Sequence, residues 1–442
     1  MHPMHNLPSN RLHAALLSSL LVAAPCLAAG DPPDAAALAA AEEGAYDELL
    51  LGDAFGARKT LEDLGLSVSV LATLDLSASS GGIERMQTGL YYIDVALEWD
   101  LAKLELVDGG VLFLDFVYAN SFGDSPGSVG SYWGWDVINS GLDAELLQIS
   151  ELWWQQRIGD SGFTARLGKI DANRFFALPV ADLAFINTAA YLPATTLSTM
   201  PTYPNPAMGA MIEWDLGTWF TQAGVFDGSS AAYNPTLDEN GPRTGGLGFQ
   251  GLFDGHDGPY LIAETGPAWQ CGGEDGWEGS ARLGGWMQVG ESQLSTDAGT
   301  TIVDDPAGLY LTLKQSLHAP LETGTRFSLF GQAGWSDPAK VAAEWSAMAG
   351  VVCDSPFSAR PNDSAGLLLS HMRFSDDPLV YTSPVSATSG GGETAVEIFY
   401  RFDLGRGVAI QPDLQWIGTP GGGDPSDVDD AWIATLRLQI AF

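Results

Sequence analysis

The sequence predicts an all-β protein: a closed, antiparallel transmembrane β-barrel of about 16 strands, preceded by a short N-terminal periplasmic helical segment. Three observations carry this. The chain closes on "AWIATLRLQIAF" (431–442), where Trp432, Ala434, Leu436, Leu438, Ile440 and Phe442 share one parity. Thr435, Arg437 and Gln439 hold the other, so a strand here has one face apolar to its last residue. The same alternation recurs along most of the chain. Outside the extreme N-terminus, no stretch is long and apolar enough to cross a bilayer as a helix.

The N-terminus reads as an export signal. Arg11 precedes the apolar run 12–30, which ends in small residues. A cation, a short hydrophobic core and a small-residue cleavage point define a secretory signal peptide. It covers 1–29, with cleavage after Ala28 or Ala29. Pro25 disfavours lipidation at Cys26. Once Cys26 is removed, Cys271 and Cys353 remain, and an oxidising compartment would let them pair. Residues 30–65 form a linker and a short helix, "ARKTLEDLG" (57–65), which Gly65 stops. The barrel occupies 66–442, in the outer membrane of a Gram-negative cell.

Alternation is cleanest in 66–77, 91–101, 111–119, 210–216, 396–404, 408–417 and 431–442. It is looser in 147–158, 163–170, 219–227, 245–253, 260–265, 281–289, 308–317, 326–335, 345–352 and 364–374. That makes about 17 candidates. Bacterial barrels carry an even number, so sixteen are expected, with one candidate in a loop or wrongly split. Short turns, 160–162 and 216–218, face one side. Long polar segments, 120–143, 173–206, 228–243, 270–279 and 375–392, face the other. A soluble β-sandwich would also alternate. However, Trp99, Trp214 and Trp416 sit near strand ends on the apolar parity, where a membrane-interface belt places them. The opposite parity carries acids and bases suited to an aqueous lumen. The apolar closing row then faces lipid, and Phe442 reads as a signal to the barrel-assembly machinery.

Composition narrows the function. There are 19 Lys and Arg against 55 Asp and Glu, a net charge of −36. Nucleic-acid binding is excluded on that balance. The acids form a solvated surface or a cation-attracting vestibule. No catalytic constellation, metal motif or phosphate loop stands out, so neither an enzyme nor a cofactor is expected. "DPSDVDD" (424–430) has oxygen ligands for Ca²⁺ but reads as a solvated acidic turn. Glu151, Trp153, Gln155 and Arg157 lie in one inward row. Arg166 and Lys169 follow on the next strand, and Glu98 and Asp115 point inward on earlier ones. Together they form a candidate eyelet, or charges that only keep the lumen wet and its wall braced. The prolines and Tyr203 of 193–206 would fold a stiff loop inward.

One segment resembles a known family. "ISELWWQQRIGDSGFTARLGKIDANRFF" (149–176) is similar to the carbohydrate-selective porins of the OprB family, through Glu151, Leu152, Trp153, Trp154, Gln156, Gly159-Asp160, Arg166, Gly168, Lys169, Asp171 and Phe175-Phe176. Phe185, Ile186 and Asn187 match a second block, and Tyr400, Arg401, Phe402, Gln411, Pro412, Asp413, Leu414 and Gln415 a closing hairpin. Gly52, Asp53, Gly56, Arg58, Leu61 and Gly65 resemble the family's opening, with Phe55 where it has Trp. Residues 270–389 match only in strand rhythm. The resemblance implies a sixteen-stranded porin for small sugars, monosaccharides foremost, embedded in outer-membrane lipid and lipopolysaccharide. A channel leaning towards cations in general, and an outer-membrane barrel enzyme, are the other readings.

Overall fold

Every stretch with period-two patterning becomes a strand, apart from 245–253, of which only 245–249 are described. The computed structural model describes residues 46, 48–139, 145–179, 184–228, 245–249, 258–271, 277–296, 299–318, 325–383 and 386–442. The signal region lies outside them. A short helix, α1 (Ala57–Asp63), comes first, and Gly65 stops it with a φ of 83°. The strands are β1 (Leu66–Gly82), β2 (Gln87–Asp100), β3 (Gly110–Gly123), β4 (Leu146–Arg157), β5 (Phe163–Ile170), β6 (Ala207–Asp215), β7 (Trp219–Phe226), β8 (Tyr260–Cys271) and β9 (Trp277–Gln288). Then come β10 (Glu291–Thr296), β11 (Gly299–Asp304), β12 (Ala307–His318), β13 (Arg326–Ser336), β14 (Ala343–Asp354), β15 (Ser364–Phe374), β16 (Gly392–Asp403), β17 (Val408–Gly418) and β18 (Asp429–Ala441).

Sixteen of these close one antiparallel barrel, each beside its chain neighbours, with β1 sealing against β18. Closure leaves no open edge, which is what a bilayer demands of strands. The hairpin β10–β11 stands apart as a two-stranded sheet between β9 and β12. The stretch 245–253 is the surplus candidate. Its described part begins with a 3-10 turn at Gly245–Gly248, and residues 250–253 lie outside the described residues.

The two faces separate as the alternation requires. On β18, Trp432, Ala434 and Leu436 are exposed, while Ile433, Thr435, Arg437 and Gln439 are buried. Leu76, Ile93, Leu167, Ile212, Leu283, Leu313, Leu369 and Ile398 extend the apolar outer face around the barrel. Trp154, Trp214, Trp219 and Trp277 are exposed near the short turns, and Trp335 and Trp432 near the opposite end. The last two pair across strands with Trp345 and Trp416. Two aromatic girdles flanking an apolar band are the outer surface of a membrane barrel.

Short links at 158–162, 216–218 and 404–407 share the end where both termini meet, the periplasmic end of a bacterial barrel. The segment 270–279, expected among the long outer loops, belongs here instead. Pairing continues to Cys271↔Trp277, which leaves a five-residue link. Cys271 and Cys353 do not come together. They lie on β8 and β14, with β9, β12 and β13 between them, and Cys353 is a free thiol. Four strand spacings are about 19 Å, far beyond the span of a disulfide.

Candidate functional site

The lumen is occupied by loops, and the strand wall holds them. The β5–β6 connection, 171–206, hydrogen-bonds inward side chains on opposite sides of the barrel. Glu151 of β4 accepts from the Asp171 amide at 3.0 Å, and Glu264 of β8 from the Ala177 amide at 3.0 Å. Gln332 of β13 donates to the Ala189 carbonyl at 2.7 Å, and Ser346 of β14 accepts from the Ala194 amide at 3.1 Å. Glu397 of β16 takes the Ile186 and Asn187 amides at 2.6 and 3.0 Å. Gln411 of β17 donates to the Ala184 carbonyl at 2.7 Å. A segment bonded to β4, β8, β13 and β17 at once must cross the interior. Tyr203, expected to help fold this loop inward, donates its hydroxyl to the Ile138 carbonyl at 2.9 Å.

A second loop, 124–139, is strapped to the first. Val137 donates to the Ile186 carbonyl at 2.8 Å, and the Trp133 indole to the Leu192 carbonyl at 3.0 Å. Glu393 of β16 anchors it by accepting from the Tyr132 and Trp133 amides at 2.8 and 3.2 Å. Carboxylates that accept from backbone N–H groups make strong, charge-assisted bonds. They also satisfy loop amides that have no ladder of their own.

The wall is chemically divided. On β7 to β15 the inward side chains include Phe226, Tyr260, Ile262, Trp286, Tyr310, Phe330, Met348, Leu368 and Phe374. Loop residues Phe175, Phe176, Phe185, Tyr191, Leu192 and Met200 pack on them as one apolar cluster. On β16 to β4 the wall is charged: Glu397, Arg401, Asp413, Arg437, Asp75, Asp94, Asp115 and Glu151. Arg437 forks onto Asp75 through Nε at 2.8 Å and Nη2 at 2.6 Å. Arg174 of the loop bridges Glu151 and lies 3.6 Å from Asp115. The β7–β15 side therefore holds the loop mainly by burial, with Glu264, Gln332 and Ser346 adding hydrogen bonds, and the β16–β4 side meets it with acids and bases.

The residues singled out in the sequence fall into three groups. Asp115, Glu151, Trp153, Arg166 and Lys169 are buried together between wall and loop. Glu98 and Gln155 are half-buried on the lower wall. Arg157 is exposed at the periplasmic end of β4. Glu151 and Arg166 do not pair with each other. Arg166 binds Glu213 of β6 at 3.0 Å and lies 4.4 Å over the Phe175 ring, while Glu151 takes Arg174. The Lys169 ammonium donates to the Ile149 carbonyl at 2.7 Å. Trp153 stacks on Phe113 at 4.6 Å, and its indole donates to Glu151 at 3.0 Å. The ring face expected to meet a passing solute is therefore already covered. Gly168 permits this packing, because its φ is 145° and a Cβ would collide with the Leu152 carbonyl and Trp153.

Arg174, Glu213, Glu264, Glu393, Glu397, Arg401, Asp413, Asp75 and Arg437 went unselected in the sequence. Most of them stood on the inward parity, and Arg401 and Asp413 also belonged to the closing hairpin that resembles the family. Arg174 had no parity signal, being in a loop without a period. The acidic run 424–430 is an exposed turn in which Asp424 accepts from the Ser426 amide and hydroxyl, both at 2.8 Å.

The chain's sequence and shape both have known counterparts. The family model described as carbohydrate-selective porin, OprB family, matches residues 89–442. Porin B of Pseudomonas aeruginosa is 24% identical over 328 residues, 67% of this chain and 68% of that protein. The high-pH structure of Pseudomonas putida OprB superposes with a TM-score of 0.74 at 19% identity, covering 90% of this chain and 99% of that one. Its low-pH structure gives 0.54 at 14% identity, covering 89% and 98%.

Proposed function

Because this chain belongs to the carbohydrate-selective porin, OprB family, we propose that it passes monosaccharides across the outer membrane by passive diffusion between the 171–206 loop and the charged wall. It is an outer-membrane sugar channel rather than an enzyme. The observation that supports this route is the division of the lumen. The loop packs its apolar side chains on β7 to β15, and on the other side it faces Asp75, Asp94, Arg401, Asp413 and Arg437, each less than a tenth exposed. A wall with both acids and arginines offers donors and acceptors to hydroxyls without demanding a charged solute. Glu151, Trp153, Arg166 and Lys169, with Asp115, then shape and hold the constriction, while Glu98, Gln155 and Arg157 line the lower passage.

The remaining parts follow from position. Residues 1–29 are removed as the signal peptide, 30–65 form the periplasmic segment, and 66–442 form the barrel. The girdles contact phospholipid on one side and lipopolysaccharide on the other. The assembly machinery reads the row that ends at Phe442. One observation favours a second reading, a general channel that prefers cations: the net charge of −36. Liposome swelling with mono- and disaccharides, alongside bilayer conductance, separates the two. A sugar porin admits glucose and shows glucose-dependent block of ion current. Swelling no faster than that given by inert solutes of equal size would reject it.

A further inference from the structure

Most polar groups on the charged wall are committed to the loops or to each other, but one cluster is not. On β16, β17 and β18 the inward residues are Glu397, Phe399 and Arg401, then Gln411, Asp413 and Gln415, then Thr435 and Arg437. Glu397, Gln411 and Gln415 hold loop groups through Ile186, Ala184 and Trp135. Arg437 is bound to Asp75. Asp413 is different. It is 6% exposed, its side chain faces Glu397 and Gln415, and no loop group among the described residues donates to either of its oxygens. Arg401 is 5% exposed, its Nε has no partner, and no salt bridge joins it to an acid among the described residues. The side-chain carbonyl of Gln411, 1% exposed, is also unfilled.

The three are neighbours on the wall. Pairing of β16 with β17 runs Phe399↔Asp413 and then Phe402↔Ile410, which sets Arg401 beside Gln411 on the same inward side as Asp413. Buried polar groups left open on several adjacent residues mark a place where something else supplies the bonds. We propose that Arg401, Gln411 and Asp413 form a sugar-contact subsite that takes one vicinal diol. This rests on the sugar-porin reading.

The chemistry selects that class of ligand. A guanidinium fork donates to two neighbouring hydroxyl oxygens, and a carboxylate accepts from hydroxyl protons. The amide oxygen of Gln411 accepts a third. An anion meets Asp413 and Glu397, and a cation meets Arg401 and Arg437, so a neutral polyol is the solute opposed by neither. No open aromatic face is at hand, because Phe399 is packed edge-on against Phe185 at 4.9 Å. Recognition here therefore depends on hydroxyls and not on stacking.

The test is current block in planar bilayers, with glucose compared against a polyethylene glycol of similar size, which has no internal diols. The unmodified protein should be blocked by glucose at lower concentration than by the glycol. Asp413→Asn and Arg401→Lys should each raise the half-blocking glucose concentration about tenfold, the loss expected for one charge-assisted bond. Block by the glycol should stay where it was. Heat-modifiable gel migration reports whether each variant has assembled. If only one assembles, its shift alone decides. If both substitutions change ion selectivity but leave glucose block intact, the pair acts only as fixed charge and the subsite is wrong. If the unmodified protein neither takes up glucose nor is blocked by it, the sugar-porin reading itself fails and the subsite falls with it.

Discussion

Glu397 shows how a single wall residue can set the geometry of the lumen. Its two oxygens take two consecutive amides, Ile186 and Asn187, and the Asn187 side chain continues the contact to Gln415 at 3.0 Å. Only a carboxylate offers two acceptors to two parallel N–H groups. Glutamine keeps the shape but turns a donor towards one of them. Glu397→Gln should therefore leave one buried amide unpaired, at a cost of about 1–3 kcal/mol. The barrel wall does not depend on that bond, so the variant should insert normally and show higher, noisier single-channel conductance. Conductance and noise equal to the unmodified protein would mean that the loop is held without this clamp. The sequence revealed half of this arrangement. Alternation put Glu397 on the inward face, but its partners lie in a loop with no period. For the same reason, the inward row of Glu151, Trp153 and Arg166 was legible while its partners Arg174 and Phe175 were not. The signal in a strand is local and repeating, whereas a clamp joins a strand to a loop at no fixed spacing, 211 positions away for Glu397 and Ile186 and 23 for Glu151 and Arg174.

The strands of the barrel were legible because each must keep one face apolar against lipid, and this imposes the period. The β10–β11 hairpin crosses no membrane and carried no such mark, so it passed unseen. The seam between first and last strands adds something that the period alone does not provide. β18 pairs with β1 from Leu71↔Ala441 upward, and Phe442 donates to the Val70 carbonyl at 2.9 Å. Below that point β1 has no β18 partner. The N-terminal segment covers this stub. Leu50 donates to the Ala441 carbonyl at 2.9 Å, and Arg58 reaches both the Val68 carbonyl, at 2.6 Å, and the Phe442 carbonyl. An unpaired strand edge is a liability, and here a guanidinium closes it. Arg58→Ala should assemble but lose its folded gel mobility at a lower temperature. Phe442→Asp should act earlier, placing a charge at the end of the lipid-side row and reducing the amount inserted. Insertion of Phe442→Asp at normal levels would remove Phe442 from the assembly signal, and an unchanged melting temperature for Arg58→Ala would remove the seam clamp.

At the scale of the whole molecule, the composition of 55 acids against 19 bases has a consequence inside the barrel as well as outside. Arg437 is tied to Asp75 and Arg174 to Glu151, so the charged wall retains Asp94, Asp115, Glu397 and Asp413 against Arg401. At the outer end, Asp337, Asp376, Asp377, Asp424, Asp427, Asp429 and Asp430 are exposed, and the bases nearby are few. A mouth of one sign with low-dielectric walls concentrates counter-ions. The channel should therefore conduct K⁺ in preference to Cl⁻ in a dilute potassium chloride gradient, as read from the reversal potential. The preference should be modest, because the arginines remain beside the path. It should also fade with salt, since the screening length falls from about 10 Å at 0.1 M to about 3 Å at 1 M. The mouth charges lose their reach first, and any preference left at 1 M must come from the wall, where ions pass within that length. Sugar flux should barely change over the same range, because a neutral solute does not follow the potential. A preference for Cl⁻ at low salt would mean that the arginines dominate the passage, and a sugar flux that fell with salt as steeply as ion selectivity would mean that neutral solutes do not take this route.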